Sequence, residues 1–519
     1  MTLRPRRLLL ALTSTPTRAA TLVPRLAPGL ALKLSLTLTL SACNFAPRQP
    51  PPVVDLPARF IEDGDAANAI GATAGATATN SANATNATNA TARSTADQVS
   101  WQQFFGDPQL RMLIDYALQH NQDLAAAFAR IDQARAFYRI EQANQLPRVD
   151  VGAGASRNQA PLAVVDPAFG NSTRSIEFNQ FNAQVAVTSF ELDFWGRVRN
   201  LNQAAMHQYL ASVEGQRVFR LSLIANVAAT YYDARASEEG VALAQHTVAA
   251  RQYAQGIARD RLDAGVTSTV DFEQASILLT QARAQLAEMQ RNVAEAWNRM
   301  WVLVGGHVDL HAVQPNPIGA AAQFENLSPG LPSALLLSRP DIRQAEQRLA
   351  GADANIGAAR AALFPSISLT GSLGYASTEL SRLISGPNQS WSVGAGIGMP
   401  IFDYGQRRAA VDLAVAQHAE LVANYTKTVQ SAFSEVATAL ARAQRLGEQV
   451  KVQAEAIEAQ ERLAETAELR YMNGISIYLE VMDARRNLFS AQLQMLTLRA
   501  AALQNGVSLY VALGGGAGL

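Results

Sequence analysis

One cysteine, Cys43, stands in a chain of 519 residues, so no disulfide can close within it. Charge of one sign is also missing. The 43 basic and 43 acidic side chains cancel, which argues against a nucleic-acid partner, because that partner needs a basic face. Lysine is nearly absent (Lys33, Lys427 and Lys451), and arginine carries the positive charge. After Cys43 no run of 18 apolar residues occurs, so no membrane-spanning helix is expected. The sequence has no G-x-S-x-G, no P-loop and no H-E-x-x-H. His307 and His311, in "HVDLH", could share a metal only on a helix, yet they follow Gly-Gly and precede a Pro-rich loop. The expectation is a protein that is not an enzyme, with no cofactor and no metal. At 48% hydrophobic and 17% charged, the chain is too apolar for overall disorder and too long for one small core.

The N-terminus reads as an export signal. Arg4, Arg6, Arg7, Arg18, Arg25 and Lys33 are positive, and no acid precedes Asp55. An apolar run, Leu34 to Leu40, leads into Leu40-Ser41-Ala42-Cys43 and then into the Pro-rich "NFAPRQPPP". A lone thiol is ordinarily a buried residue. Here its placement resembles the bacterial lipobox, whose cysteine becomes the lipidated N-terminus and whose acyl chains anchor a protein in lipid. Asn44 is not the Asp that would favour the inner membrane. Residues 68–96 are low-complexity Ala, Thr, Asn and Gly, with too little apolar surface to offset ordering entropy, and read as a flexible insert.

The remainder is written twice. "RLDAGVTSTVDFEQASILLTQARAQL" at Arg261 and "RYMNGISIYLEVMDARRNLFSAQLQM" at Arg470 share Arg261/Arg470, Gly265/Gly474, Ala275/Ala484, Leu279/Leu488 and Ala282/Ala491. Gly196 and Gly265 bracket a proline-free interval of helix-favouring composition, and Gly405 and Gly474 bracket another of equal length. Helices of roughly 65 residues are about 100 Å long. In the second interval Val415, Val422, Val429 and Val436 recur every seven residues, with Ala419, Phe433 and Leu440 four further on, as in a coiled-coil seam.

Between the helices the period falls to two. Ile367, Leu369, Leu373 and Tyr375 alternate with Ser366, Ser368, Thr370 and Ser372, and Trp391, Val393, Ala395, Ile397 and Met399 alternate with serine and glycine. Val149, Val151, Ala153 and Ala155, then Phe181, Ala183, Val185 and Val187, do the same in the first half. Four strands of about ten residues have the length of tilted transmembrane β. A soluble hairpin pair is the alternative, but it needs a core partner. Four strands cannot close a barrel, and lipid does not tolerate open edges, so several subunits must share one. Strand count alone allows two, three or more.

"WQQFFGDPQLRMLIDYAL" at Trp101, "SFELDFWGRVRN" at Ser189, "LPSALLLSRPDIRQAEQRLAGADANIGAARAALFPSISL" at Leu331 and "MPIFDYGQRRAAVDLAVA" at Met399 together resemble the TolC-type outer-membrane efflux proteins, in their lipoprotein branch, the NodT family. The resemblance implies a mixed α and β membrane protein. It would be a homotrimer whose twelve-stranded outer-membrane β-barrel, four strands per protomer, is continuous with a long periplasmic α-helical barrel. Its implied partners are a periplasmic adaptor protein, an inner-membrane pump of the RND or a related type, and outer-membrane lipid at Cys43. The implied function is a passive exit duct of a tripartite efflux system. A duct for type I protein secretion is the alternative, and a structural periplasm-spanning lipoprotein stands behind both.

On that reading residues 1–42 are a signal peptide, 43–67 a lipidated arm and 68–96 the insert. Residues 97–306 are the first repeat, with a hairpin over 148–190, a long helix over 196–264 and a helix over 268–304. An equatorial connection, 307–338, leads to the second repeat, 339–515, with a hairpin over 366–402 and helices over 405–473 and 477–513; 516–519 is a tail. The resemblance makes the turns at Gly265-Val266 and Gly474-Ile475 the adaptor-docking sites. It also makes Glu480 and Asp483, three apart on one helix face, the aperture acids, with Asp271 in the matching place of the first half and Tyr471 holding the closed state. A solvated helix face is the alternative for these acids. A basic residue found near Ser476 in some members is not here.

Overall fold

The computed structural model describes residues 44–47, 50–54, 99–161, 174–310, 313–318 and 339–515. The signal segment, Cys43, the Ala/Asn/Thr insert and His311 lie outside the described residues. Two short helices, α1 (Trp101–Phe104) and α2 (Pro108–His120), precede α3 (Gln122–Ala143). The hairpin β1 (Asp150–Pro161) and β2 (Ser175–Glu191) leads into α4 (Arg197–Asp263) and α5 (Thr269–Val304). The second half repeats this order as α6 (Pro340–Ala361), β3 (Ser366–Ser377), β4 (Gln389–Gly398), α7 (Gln406–Met472) and α8 (Tyr478–Ala512). The long helices α4 and α7 have 67 residues each, about 100 Å at 1.5 Å per residue. Among the described residues no helix is long and apolar enough to cross a membrane.

Both long helices start alike. Gly196 and Gly405 take left-handed backbone (φ 79° and 83°), and an aspartate two or three residues earlier supplies the cap. Asp193 accepts from the amides of Val198 and Arg199, and Asp403 from those of Gly405 and Arg407.

The four strands form one antiparallel sheet in the order β1-β2-β3-β4. Its register sorts the side chains by face. Val151 faces Val185, Ala153 faces Ala183 and Ala155 faces Phe181 across β1 and β2. Val185 then faces Leu373, and Leu373 faces Trp391. Ser372 pairs with Ser392 and Ala186 on the other face, with Gly152, Gln184 and Thr370 nearby. One face is therefore apolar and the other is serine, glycine and amide. A register shift between Val187 and Phe190 adds one residue to β2. Beyond it Phe190 pairs with Leu369, so the bulge returns an aromatic to the apolar face that strict alternation would have turned inward. Val151, Trp391, Val393 and Ile397 are strongly exposed in the single chain, and among the described residues no strand pairs with either sheet edge.

The largest core lies midway down the helices. Leu110, Leu113 and Ile114 of α2, Val227 and Tyr231 of α4, Met300 and Val304 of α5, and Tyr510 of α8 are buried together with Ile318 of the connection. Each such side chain contributes about 1.5–3 kcal/mol. Asp107 organises the polar part. One oxygen accepts from the amides of Gln109 (2.8 Å) and Leu110 (3.2 Å) and caps α2, while the other accepts from Tyr231 Oη at 2.9 Å and Asn316 N at 3.0 Å. Burial first, then Asp107, holds the Tyr231 phenol well above its ordinary value. Arg339 closes the second half, donating to Asp341, to Glu435 of α7 (2.8 Å) and to the carbonyl of Ala512 in α8 (2.9 Å).

The seam of α7 differs from the expected one. Tyr425, Val429, Ala432, Val436 and Ala439 are buried, a spacing of four, three, four and three. The partners of Val429 and Val436 are thus the small Ala432 and Ala439 three residues on, not Phe433 and Leu440 four on, and Val415 stays exposed. Alanine wins those positions because it lets the helices approach, while the larger Phe433 and Leu440 sit half-buried at the seam's margin.

Candidate functional site at the paired helical turns

Gly265 and Gly474 (φ 72° and 70°) end α4 and α7 in the left-handed region. The amide of Val266 donates to the carbonyl of Arg261 (3.0 Å) and that of Gly265 to Leu262 (2.9 Å). Ile475 donates to Arg470 (2.9 Å) and Gly474 to Tyr471 (3.0 Å), the same pair of bonds one repeat later. The carbonyls are satisfied at a two-sided turn, so Val266 and Ile475 project at 65% and 68% exposure. Met472 and Ile477 extend that apolar surface.

The repeat-related arginines diverge. Arg261 Nη1 donates to Tyr471 Oη at 2.6 Å and so ties the tip of the first hairpin to the second. Arg470 approaches Glu480 of its own hairpin at 3.8 Å. The divergence follows from sequence, because the repeat equivalent of Tyr471 is Leu262, which offers no hydroxyl. Tyr471 also packs on Tyr478 (centroids 5.0 Å), and both lie against the alanine seam of Ala464, Ala467 and Ala484. Burial first, then Tyr471, raises the Tyr478 phenol.

Each candidate aperture acid has a neighbour in its own protomer. Asp483 pairs with Arg486 at 2.7 Å, Glu480 has Arg470, and the hydroxyl of Thr267 donates to Asp271. Glu480 and Asp483 are about half-exposed, where ion pairs contribute about 0–1 kcal/mol. Ser476, the repeat equivalent of Thr267, is enclosed with no partner for its hydroxyl, because Glu480 turns toward Arg470 instead. Arg251 of α4 sits behind this layer. It donates to the carbonyl of Leu278 in α5 (2.8 Å) and lies over Phe489 of α8 (5.5 Å). Burial first, then Arg486, lowers its pKa from the ordinary guanidinium value. Arg251 was not singled out from sequence. Arg261 carried one signal, its recurrence as Arg470, without a partner.

Among the described residues no three His, Cys, Asp or Glu side chains are grouped to hold a metal. The ring of His307 packs on Trp301 (4.3 Å).

A duplicated pair of 67-residue helices, a four-stranded open sheet and paired glycine turns narrow the candidates, and sequence comparison decides among them. The sequence family described as "Outer membrane efflux protein" matches residues 113–306 and 331–515. The chain belongs to this family. It is 37% identical over 421 residues to the probable efflux pump outer membrane protein TtgC of Pseudomonas putida, covering 81% of this chain and 86% of that one. It is 35% identical over 486 residues to the outer membrane protein OprJ of Pseudomonas aeruginosa, covering 93% and 95%. Among solved structures it resembles a membrane protein from Pseudomonas aeruginosa (TM-score 0.79, 32% identity, 91% of this chain and 100% of that one). It also resembles the open state of the MtrE outer membrane channel of Neisseria gonorrhoeae (TM-score 0.77, 32% identity, 91% and 98%). The protein is thus an outer-membrane efflux channel, with the sheet as its membrane part and the helices as its periplasmic tunnel.

Proposed function

We propose that three copies pair β4 of one with β1 of the next into a twelve-stranded barrel, and that the duct passively conducts what an inner-membrane pump of the RND or a related type delivers through a periplasmic adaptor. The observation that carries this is the open sheet with one apolar and one polar face. Its two unpaired edges cost several kcal/mol per backbone group in lipid unless another copy covers them. The paired turns, with Val266 and Ile475 projecting, are the adaptor's docking surface. Tyr471, Asp271, Glu480 and Asp483 form the aperture, and the mature chain is anchored through acylated Cys43. The relatives' names include antibiotic, toluene and solvent efflux pumps. Small organic molecules are accordingly the proposed substrate class.

Native mass spectrometry of the detergent-extracted protein tests the assembly, with a trimer expected. A stable monomer would remove the shared barrel. Loss of the gene should sensitise cells to apolar antibiotics and solvents, and unchanged susceptibility to all of them would remove the substrate class. Cys43→Ser should abolish acyl labelling.

A further inference from the structure

Close to the sheet, α3, α4, α6 and α7 enclose a concave trough of about 520 Å³, within the size range of sites for drug-sized molecules. Its floor is made of small residues: Ala204 and Ala205 of α4, Gly351 and Ala352 of α6 and Ala414 of α7. They leave the space that larger side chains would fill, while the helices behind them still meet. A Cβ at Gly351 would stand 3.4 Å from His207 Cβ and 3.5 Å from the Ala204 carbonyl oxygen. His207 Nδ1 lies 2.9 Å from Gln347 Oε1, which also joins α4 to α6. The trough is therefore closed behind and open on one side.

The open side is the lumen. Glu191 pairs with Ser368 in the sheet register, two residues from Thr370, which puts it on the serine and glycine face. In a closed barrel that polar face lines the interior. Arg197, in the first turn of α4, donates to the Glu191 carboxylate through Nε at 2.9 Å. Leu201 and Ala205 follow Arg197 by four and eight residues, so they lie below it on the same helix face. The trough thus opens toward the side that Glu191 occupies, and it runs about 10 Å along α4 from Leu201 to Gln208.

Phe137 of α3, Leu201 of α4 and Leu421 of α7 give the trough an apolar wall, and Phe137 is 51% exposed. Arg348 of α6 and Glu420 of α7 face the same space, and among the described residues neither has a hydrogen-bond or ion-pair partner. Opposite charges that share a cavity without pairing leave both open to a ligand. The third charged group, Glu141, is engaged: it accepts from Asn144 Nδ2 at 3.1 Å and stands near Arg197. We propose that the trough is a wall site for aromatic zwitterions in transit. The ring system lies on Phe137, Leu201 and Leu421, an anionic group meets Arg348, and a cationic group meets Glu420. Three copies place three such sites around the duct. The inference narrows the small organic molecules proposed above, rests on that reading of the duct, and is scored separately from it.

Rhodamine B is the probe, because its aromatic cation carries a free carboxylate; its ethyl ester keeps the cation and lacks the carboxylate. Fluorescence anisotropy of either dye with the detergent-purified protein reads binding. Dye added during planar-bilayer recording reads interruptions of the current. Gln417→Trp changes an exposed lining residue and fills the trough, so its signal is the background from dye in the micelle. Wild type should bind rhodamine B about tenfold more tightly than the ester, the effect of one charge-assisted bond. Arg348→Gln should lose that tenfold for rhodamine B and leave the ester unchanged, whereas Glu420→Gln should weaken both dyes about tenfold. Interruptions by rhodamine B should shorten about tenfold in both variants. Wild-type binding no different from that of Gln417→Trp would overturn the site. Equal affinity for dye and ester, or no loss in Arg348→Gln, would overturn its assignment to zwitterions. Saturable binding by a protein that conducts nothing would uphold the site and remove the duct reading, and conductance without saturable binding would do the reverse.

Discussion

Replacing Tyr471 with Phe removes one hydroxyl and little else. The ring keeps its contact with Tyr478 at 5.0 Å, so the hairpin's packing is retained. What is lost is the 2.6 Å bond from the Arg261 guanidinium, which crosses from one hairpin's end to the other's, while the guanidinium keeps its place over the ring at 5.1 Å. Bonds to charged groups contribute about 1.5–3 kcal/mol when enclosed. Both residues are half-buried at a wet tip, and solvent screening brings this to about 1 kcal/mol. Three protomers together lose about 3 kcal/mol, which converts to roughly 100-fold in the ratio of open to closed channels. Open probability in planar bilayers reads this directly, with antibiotic leakage into cells as a second check. Arg261→Gln should open the channel at least as far, since it also takes the guanidinium off the Tyr471 ring, and the double variant little further than Arg261→Gln alone, because both changes act on one contact. Wild-type gating in Tyr471→Phe, or full additivity of the two changes, would show that the bond does not hold the tip closed.

Three further outcomes follow from the same geometry. Glu480→Ala with Asp483→Ala leaves Arg470 and Arg486 without their acids, so reversal potentials should shift from cation preference toward anions and block by multivalent cations should vanish. Deleting Ser189 removes the extra residue, and Val187, Thr188 and Phe190 then alternate regularly with Phe190 still opposite Leu369 on the apolar face, so heat-modifiable trimer should stay near the wild-type level; its loss would show that the bulge itself is needed. Asp353 of α6 lies 3.2 Å from His418 of α7, and burial lifts its carboxyl above the ordinary 3.8 while His418 and His207 pull it back. A raised folded pKa means that the folded state holds the extra proton. Stability is therefore favoured below 3.8 and lost as pH rises through the folded value. Asp353→Asn should flatten that acid-side slope in thermal unfolding.

Sequence pattern reached the architecture because each element is long and regular. Two proline-free intervals bounded by Gly196 and Gly265, and by Gly405 and Gly474, contain α4 and α7 to within a residue at each end. Alternation gave the apolar sheet face, since side chains in a strand have a period of two. The bulge escaped that logic: Thr188 and Ser189 carry no signal that one residue must be skipped. The α7 seam escaped in part, because a valine heptad does not say whether its partner stands three or four residues on. At the tip, Gly265 and Gly474 were legible from the repeat and take the left-handed backbone that such a turn needs. The Arg261–Tyr471 bond spans 210 residues and joins non-equivalent positions of the two halves, so no local pattern encodes it. Asp107, Tyr231 and Asn316 meet in the same way, by folding alone.

The central claim is that several copies of this chain close one conducting barrel. Single-channel recording of purified protein in planar bilayers, on a sample whose mass is fixed by native mass spectrometry, tests it most directly. The account predicts discrete conductance steps from a species of three times the chain's mass, and none from dissociated monomer. A monomer that conducts, or a trimer that never does, would contradict it.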